Sequence, residues 1–96
     1  MVAITVLLPR TLAADAGDSR EHQFELGPQP TVAGLLDGLT ERFPRLGRRL
    51  RDETGAVRRY VNIYLDGEDI RQLAGTATAL EAGQQVRVIQ SVAGGR

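Results

Sequence analysis

The sequence predicts an α+β domain in which one helix packs across a small mixed β-sheet. Three observations lead to this prediction. Apolar, strand-like segments lie near both ends of the chain, at residues 2–8 and 86–89, an apolar stripe at helical spacing runs over residues 32–43, and a strong strand pattern covers residues 60–65. A chain of 96 residues, 42% of them hydrophobic, is long enough for one core of this kind.

The first half of the chain predicts two paired strands before the helix. Residues 2–8 are rich in β-branched side chains, as is typical of a strand. We expect residues 10–19 to form a loop that ends in a turn. Residues 20–26 end in alternating charged and apolar side chains, as in a half-buried strand, and the two prolines within residues 27–30 then interrupt the chain.

The helix has both a start signal and a stop signal. Thr31 is a good N-cap, and Pro44 predicts that the helix ends at about Phe43. Its apolar stripe consists of Val32, Leu35, Leu36, Leu39 and Phe43. Gly34 and Gly38 weaken the helix, but they lie four residues apart on one face and would let a strand approach closely.

The second half of the chain predicts a basic loop and then the remaining strands. Residues 45–59 are typical of a polar, basic loop, with one helical turn around residues 46–50, and residues 60–65 form the strongest strand pattern in the chain. The composition of residues 86–89 predicts a last strand that is buried on both faces. Because the first and last strands are both strongly apolar, we expect them to lie side by side at the centre of the sheet.

The order strand–strand–helix–strand–strand, with an extension after the last strand, is the β-grasp arrangement. We therefore predict a β-grasp (ubiquitin-like) domain over residues 1–90 and a flexible C-terminal tail over residues 91–96 that contains two glycines. Six extended residues reach roughly 20 Å. Such a tail is long enough to enter a narrow pocket on another protein.

Composition narrows the kinds of function. Twelve acidic and twelve basic residues balance, which gives no reason to expect a nucleic-acid or membrane partner. The chain has no cysteine, which excludes disulfides, thiol catalysis and Cys-ligated metals within it. The apolar run at the N-terminus is too short for a signal peptide, and no segment approaches the ~20 residues of a membrane span. We therefore expect a cytoplasmic protein.

Two segments of the sequence indicate a family. Residues 59–71 read Arg-Tyr-Val-Asn-Ile-Tyr-Leu-Asp-Gly-Glu-Asp-Ile-Arg, and residues 86–95 read Val-Arg-Val-Ile-Gln-Ser-Val-Ala-Gly-Gly. They resemble the central strand with its turn, and the last strand with its tail, of the ubiquitin-like sulfur-carrier proteins of the ThiS/MoaD family. The resemblance is greatest to carriers of the cysteine-biosynthesis (CysO-like) type, and it covers nearly the whole chain.

The resemblance implies a function at the C-terminal carboxylate. An E1-like activating enzyme would adenylate this group with ATP and Mg²⁺, and sulfide or a protein persulfide would displace AMP to leave a thiocarboxylate. A synthase would accept the sulfur. This enzyme would be a PLP-dependent cysteine synthase or a thiosugar or thiazole synthase, and a processing metalloprotease would release the product. The chain would then be a carrier rather than an enzyme, with no catalytic residue, bound cofactor or metal of its own.

The same resemblance assigns roles to the last five residues. Gly95 would bear the adenylate and then the thiocarboxylate, Gly94 would give the flexibility needed to enter a channel, and Val92 and Ala93 would line the approach. Arg96 departs from the family pattern, which ends at the second glycine. Arg96 is open to three explanations: a cap that a peptidase removes, a remnant of a truncated tag, or loss of the carrier role. The final sulfur acceptor also stays open.

Other functions remain possible for the same sequence. As a ubiquitin-like protein modifier, the tail would form an isopeptide bond, although all twelve basic residues are arginine and a second copy offers no lysine. As the small subunit of a molybdopterin-synthase-like complex, the tail would insert into a catalytic partner. A plain β-grasp interaction domain would leave the tail unexplained.

Three further features have ordinary explanations. Seven arginines lie close together and are opposed within their stretch only by Asp52 and Glu53; they are Arg42, Arg45, Arg48, Arg49, Arg51, Arg58 and Arg59. A docking patch for an acidic partner is one interpretation, and a solvated loop is the one we favour. Asp66, Glu68 and Asp69 lack the spacing of a calcium loop and predict a polar hairpin. His22 has no nucleophile or acid partner in sequence and is interpreted as a surface residue.

Overall fold

The computed structural model describes residues 1–91 and shows a five-stranded mixed sheet with three helices. The strands are β1 (Val2–Leu7), β2 (Glu21–Leu26), β3 (Val61–Leu65), β4 (Glu68–Asp69) and β5 (Gln85–Gln90). The helices are α1 (Arg10–Ala13), α2 (Val32–Arg42) and α3 (Pro44–Leu50), and two 3₁₀ turns, Ile70–Gln72 and Gly75–Ala77, follow β4. The predictions for residues 92–96 lie outside the described residues.

The sheet has the strand order β2-β1-β5-β3-β4. β5 pairs in parallel with β1 on one side and antiparallel with β3 on the other. The prediction that the first and last strands lie side by side at the centre is therefore confirmed. This order, with a helix packed across the sheet, is the predicted β-grasp fold.

The prediction that β5 is buried on both faces is wrong. Val86 and Val88 are buried at 1% exposure each, whereas Arg87 is exposed and Ile89 is 39% exposed. The strand therefore alternates between an inner and an outer side, as expected when a sheet is covered on one face only. The uncovered face, which we call the open face, presents Thr5, Leu7, Asn62, Tyr64, Arg87 and Ile89.

Helix α2 forms as predicted and supplies much of the core. The Thr31 hydroxyl accepts a hydrogen bond from the Gly34 N–H at 3.2 Å, and the helix ends at Arg42, one residue before the predicted end. The residues of its stripe that are buried are Val32, Leu35, Leu36 and Leu39. The structure does not show the predicted close approach of a strand that would require these glycines: a Cβ at Gly38 would lie 3.6 Å from the Phe24 ring of β2, an ordinary contact, and Gly34 is exposed.

Two segments predicted to be loops contain helices. Residues 10–13 form α1, and Leu12, Ala13 and Ala16 are buried there. Helix α3 covers all of residues 44–50, two turns instead of one, and buries Leu46 and Leu50 at i, i+4 spacing. Both predictions failed because few apolar residues mark these helices in sequence, and packing against the core stabilises them. Among the described residues, no helix is long and apolar enough to cross a membrane.

The contact between α2 and α3 depends on a glycine, which has no side chain beyond its Cα. Gly47 is buried in α3 and faces Thr40 of α2. A Cβ built on Gly47 would lie 2.7 Å from Thr40 Cβ and 2.6 Å from Thr40 Cγ2, closer than side chains approach one another. Glycine at position 47 therefore sets how closely the two helices pack.

We expect Gly47→Ala to destabilise the protein by about 1–3 kcal/mol, because the added methyl group must displace α3 from α2. Gly38→Ala is the matched control, since its methyl group makes only ordinary contact with Phe24. That control should raise stability by about 0.5–1 kcal/mol through helix propensity. Urea unfolding of the two variants measures both effects, and equal stability of Gly47→Ala and wild type would contradict the close packing described.

Candidate functional site

The end of β5 directly precedes the C-terminal residues that the sequence singles out. Ser91, the last described residue, still follows the β3–β5 pairing, because its N–H donates to the Tyr60 carbonyl at 2.7 Å. The residues predicted to act chemically, Val92, Ala93, Gly94, Gly95 and Arg96, lie outside the described residues. What the structure supplies is the geometry at their starting point.

One side of Ser91 is held by a series of side-chain hydrogen bonds on the open face. The Asn62 amide donates to Ser91 Oγ at 3.0 Å, and the Arg71 guanidinium donates to Asn62 Oδ1 at 3.0 Å. Arg71 in turn donates to both carboxylate oxygens of Asp69, at 2.7–3.2 Å. Asn62, Arg71 and Asp69 therefore form a continuous chain of contacts that ends at Ser91, and we call these three residues the anchor.

The charges of the anchor reinforce one another. The hydrogen bonds from Arg71 hold the pKa of the Asp69 carboxyl below its ordinary value of 3.8, and they raise the pKa of the Arg71 guanidinium. The backbone N–H of Arg71 also donates to Asp69 Oδ1 at 2.9 Å. Both groups are ionised over the whole neutral range. The hydrogen bonds to Asp69 hold the guanidinium in an orientation in which it also donates to Asn62.

The neighbouring residue, Gln90, is held from a different element. The Thr11 hydroxyl of α1 donates to Gln90 Oε1 at 2.8 Å. Thr11 is itself fixed, because Arg49 of α3 donates to the Thr11 carbonyl at 3.2 Å and to Asp15 Oδ2 at 3.0 Å. The last two residues of the described chain thus have side-chain partners from separate parts of the fold.

The open face next to Ser91 combines apolar and charged groups. The strand register places Arg87 between Leu7 of β1 and Tyr64 of β3, and it places Ile89 beside Asn62. Ile89 and Tyr60 are each 39% exposed, so this part of the open face includes apolar surface in contact with water. This arrangement suits the docking of another protein more than the binding of a small ligand.

More of the positive charge in the basic stretch, residues 42–59, is paired with acidic side chains than the sequence suggests. Asp52 and Glu53 are the only acids within the stretch, but Asp15 contacts Arg45 and Arg49, and Asp37 contacts Arg51 at 2.8 Å. These acids come from distant parts of the sequence. Arg58 donates to the Arg48 carbonyl, while the Arg48 and Arg59 side chains remain exposed. Much of the stretch therefore joins structural elements together, and it is not simply a solvated loop.

The other candidate residues have structural partners. Asp66 accepts a hydrogen bond from the Gln85 N–H at 2.9 Å, and Asp69 belongs to the anchor. Within residues 1–91 no group of three His, Asp or Glu side chains is arranged to hold a metal ion. His22 is half-buried: its Nε2 contacts the Ser19 carbonyl at 2.8 Å, and its ring meets the Phe43 ring edge-on at 5.1 Å. The surface assignment of His22 is thus only partly correct.

A β-grasp sheet of this order, with its last strand at the centre and a di-glycine sequence shortly after that strand, defines a ubiquitin-like protein. More particularly, the chain belongs to the ThiS family, whose model matches residues 6–95. The matched region includes both glycines and ends at Gly95, so Arg96 lies outside it. This agrees with the resemblance seen in the two sequence segments.

Individual proteins are similar over almost their full lengths. The Mycobacterium tuberculosis sulfur carrier protein CysO is 31% identical over 94 residues, which are 96% of this chain and 98% of that relative. The structure of small archaeal modifier protein 1 from Haloferax volcanii has a TM-score of 0.83 at 26% identity and covers 96% of this chain and 100% of that one. A chain in the crystal structure of the Amycolatopsis orientalis BexX/CysO complex has a TM-score of 0.80 at 27% identity, covering 96% and 99%.

The anchor was not predicted from the sequence. Asn62, Asp69 and Arg71 lie in one of the two segments that indicated the family, and Ser91 lies in the other. The alternation of β3 places Asn62 on the outer side, which is a signal that sequence reasoning can find. A hydrogen bond between residues 29 positions apart, such as that from Asn62 to Ser91, leaves no such signal in a single sequence.

We expect Arg71→Leu to return the pKa of Asp69 toward 3.8, because the stabilising hydrogen bonds are lost. In the wild type the folded-state pKa is below that of the unfolded chain, so the contribution of this pair to stability is complete above pH 3.8 and is lost as the pH falls through the folded-state value. An NMR titration of the Asp69 carboxyl carbon measures the shift. Arg48→Leu, which removes an exposed guanidinium from α3, should leave the titration unchanged; an equal effect of both variants would contradict the direct contact.

Proposed function

We propose that this protein is a sulfur carrier whose Gly95 carboxylate is adenylated and then converted to a thiocarboxylate. The observation that carries the proposal is the family match, which ends at Gly95, four residues after the anchored Ser91. The similarity to CysO over nearly the full length of both chains supports it. The relatives are carrier and modifier proteins by name, which supports a chain that partner enzymes act on and that is not itself an enzyme.

The proposed chemistry takes place on the main chain. A carboxylate is a poor electrophile, so a carboxylate oxygen of Gly95 first attacks the α-phosphorus of ATP and releases pyrophosphate. Sulfide then attacks the acyl carbon and displaces AMP, which leaves the thiocarboxylate as a nucleophilic sulfur donor. ATP and Mg²⁺ are bound by the activating enzyme, and this chain contributes no catalytic side chain.

The chain's contribution to this chemistry is reach and docking. Gly95 lies four residues beyond Ser91, a distance of roughly 13–14 Å in an extended chain. In our proposal the open face docks on the E1-like enzyme while the tail of residues 91–96, once Arg96 has been removed, enters the channel, with Val92, Ala93 and Gly94 lining it. A sulfur-accepting synthase, PLP-dependent or of the thiosugar or thiazole type, would use the same face in turn.

Arg96 must be removed before the proposed reaction. The carboxylate that is activated has to belong to Gly95, and a channel shaped for a terminal glycine has no room for an arginine side chain. We propose that a peptidase trims Arg96, whereas the processing metalloprotease acts later, when it releases the product from the carrier. The chain ending at Arg96 would then be the inactive precursor.

A protein-modifier function is the second candidate. It is favoured by the structural similarity to small archaeal modifier protein 1 over the whole of that chain. Both functions begin with adenylation of the terminal glycine, and they differ in whether sulfide or an amine takes up the acyl group. The absence of lysine in this chain would confine such conjugation to other proteins.

We expect the chain ending at Gly95 to exchange one oxygen for sulfur when it is incubated with the activating enzyme of the same organism, ATP, Mg²⁺ and sulfide. Intact-mass spectrometry measures the exchange. The chain ending at Arg96 should remain unmodified until it is trimmed, and it serves as the matched control.

Two other outcomes of this experiment have clear meanings. Adenylation without sulfur uptake, together with higher-mass conjugates in cell extract, would favour the modifier function. A chain ending at Gly95 that is neither adenylated nor thiolated would refute the sulfur-carrier proposal.

We expect Ile89→Thr to raise the KM of the activating enzyme for this protein by about three- to tenfold, since an apolar contact at the centre of a docking face is lost. Threonine keeps the β-branched shape, so the strand and its stability should be preserved. Glu41→Ala, exposed on α2 on the covered side of the sheet, is the control and should leave the KM unchanged. Equal KM values for both variants would argue against docking through the open face.

A further inference from the structure

We propose that Asn62, Arg71 and Asp69, the anchor, are positioning residues that hold Ser91 and so direct the C-terminal residues toward the activating enzyme. This inference rests on the proposed function, because it assigns a task in presenting the Gly95 carboxylate. It concerns residues that are far from the reacting atoms in sequence. None of the three is a catalytic residue.

The order of donors and acceptors in the anchor permits only one arrangement. A guanidinium carries donors alone, so Arg71 must face the oxygen of the Asn62 amide. The NH₂ group of Asn62 is then turned toward Ser91, and it donates to the hydroxyl oxygen. Asp69 fixes Arg71 by accepting from its side chain and from its backbone N–H. The orientation of each group thus follows from the one before it.

The anchor is poorly suited to a purely stabilising role. The Arg71 side chain is 66% exposed, and ion pairs in contact with water contribute little to stability. The hydrogen bond to Ser91 is exposed as well. The effect of these contacts is local. They determine whether Ser91 stays hydrogen-bonded to Tyr60 or separates from it.

The position of Ser91 matters because docking and activation occur at different places on the carrier. When a partner docks on the open face, the direction from which the C-terminal carboxylate approaches that partner is set at Ser91. Each residue that must be ordered during binding costs conformational entropy. Because the anchor already holds Ser91, the cost of ordering this residue does not arise on binding, so the anchor raises the fraction of encounters in which the carboxylate reaches the active site.

The test is a double-mutant cycle on the chain ending at Gly95, with ATP–pyrophosphate exchange by the activating enzyme as the rate. Asn62→Ala and Ser91→Ala should each lower kcat/KM by about three- to fivefold, the loss expected for one exposed hydrogen bond. The double variant should lose no more than either single variant, because both remove the same bond. Arg71→Leu should resemble Asn62→Ala.

Asp37→Ala is the matched control for the cycle. It removes a side-chain hydrogen bond of similar length, 2.8 Å from the Arg51 guanidinium to Asp37 Oδ1, on α2 and away from both the open face and Ser91. Its kcat/KM should equal that of the wild type. Additive losses for Asn62→Ala and Ser91→Ala, or an equal loss for Asp37→Ala, would overturn the proposal.

A second readout requires no enzyme. The ¹⁵N–¹H heteronuclear NOE of the Ser91 amide should fall in Asn62→Ala and in Arg71→Leu and stay unchanged in Asp37→Ala, while the thermal unfolding midpoint changes little in any of them. An unaltered NOE in the first two variants would show that the anchor does not hold Ser91. If the wild type supports no exchange at all, the sulfur-carrier proposal fails, and the NOE still decides whether Asn62 and Arg71 fix this residue.

Discussion

The parallel pairing of β1 with β5 places the last strand of the chain in the middle of the sheet. β5 is fixed on both sides by neighbouring strands and below by its buried valines, so the position of the strand up to Gln90 is determined by the core of the domain. If β5 were an edge strand, its end could fray without loss of the core. The central position therefore makes the end of β5, one residue before Ser91, as well defined as the fold itself.

The one-sided covering of the sheet has a second consequence. The helices contribute to a single core, which includes Leu12 of α1, Leu39 of α2 and Leu46 of α3. The other face of the same central strands is left open, and it carries Arg87 and Ile89 on β5. A partner that contacts this face is thus in contact with the strand that leads to the C-terminus. The proposed docking surface is connected to the last described residue through Ile89 and Ser91, which lie on the same side of the chain.

The parts of the fold that were predictable from sequence are those with a strong local pattern. The alternation in β3 and the stripe and N-cap of α2 identify these elements by themselves, and the apolar first and last strands predicted their pairing. Helix α1 was missed, and α3 was predicted as a single turn, because Leu12 and Leu46 become informative only when the core that buries them is known. The burial of β5 on both faces was inferred from composition, but Arg87 in its middle already indicates an outer side. The pairing of Arg51 with Asp37, or of Asn62 with Ser91, depends on tertiary structure and has no counterpart in a local pattern.

A reactive group on the main chain changes what selection can act upon in a small domain. No histidine, cysteine or acid of this chain needs a tuned pKa for the proposed chemistry, because the carboxylate of Gly95 is activated by another protein. The side chains of the domain can influence the reaction only through geometry, by docking and by fixing where the chain departs. The contacts at Asn62 and Arg71 on one side of the β5 end, and at Thr11 and Arg49 near Gln90, are of this geometric kind. An exposed hydrogen bond that adds little to the free energy of unfolding can therefore still be important in the proposed reaction. It acts on Ser91, and Ser91 connects the residues that carry the carboxylate to the folded domain.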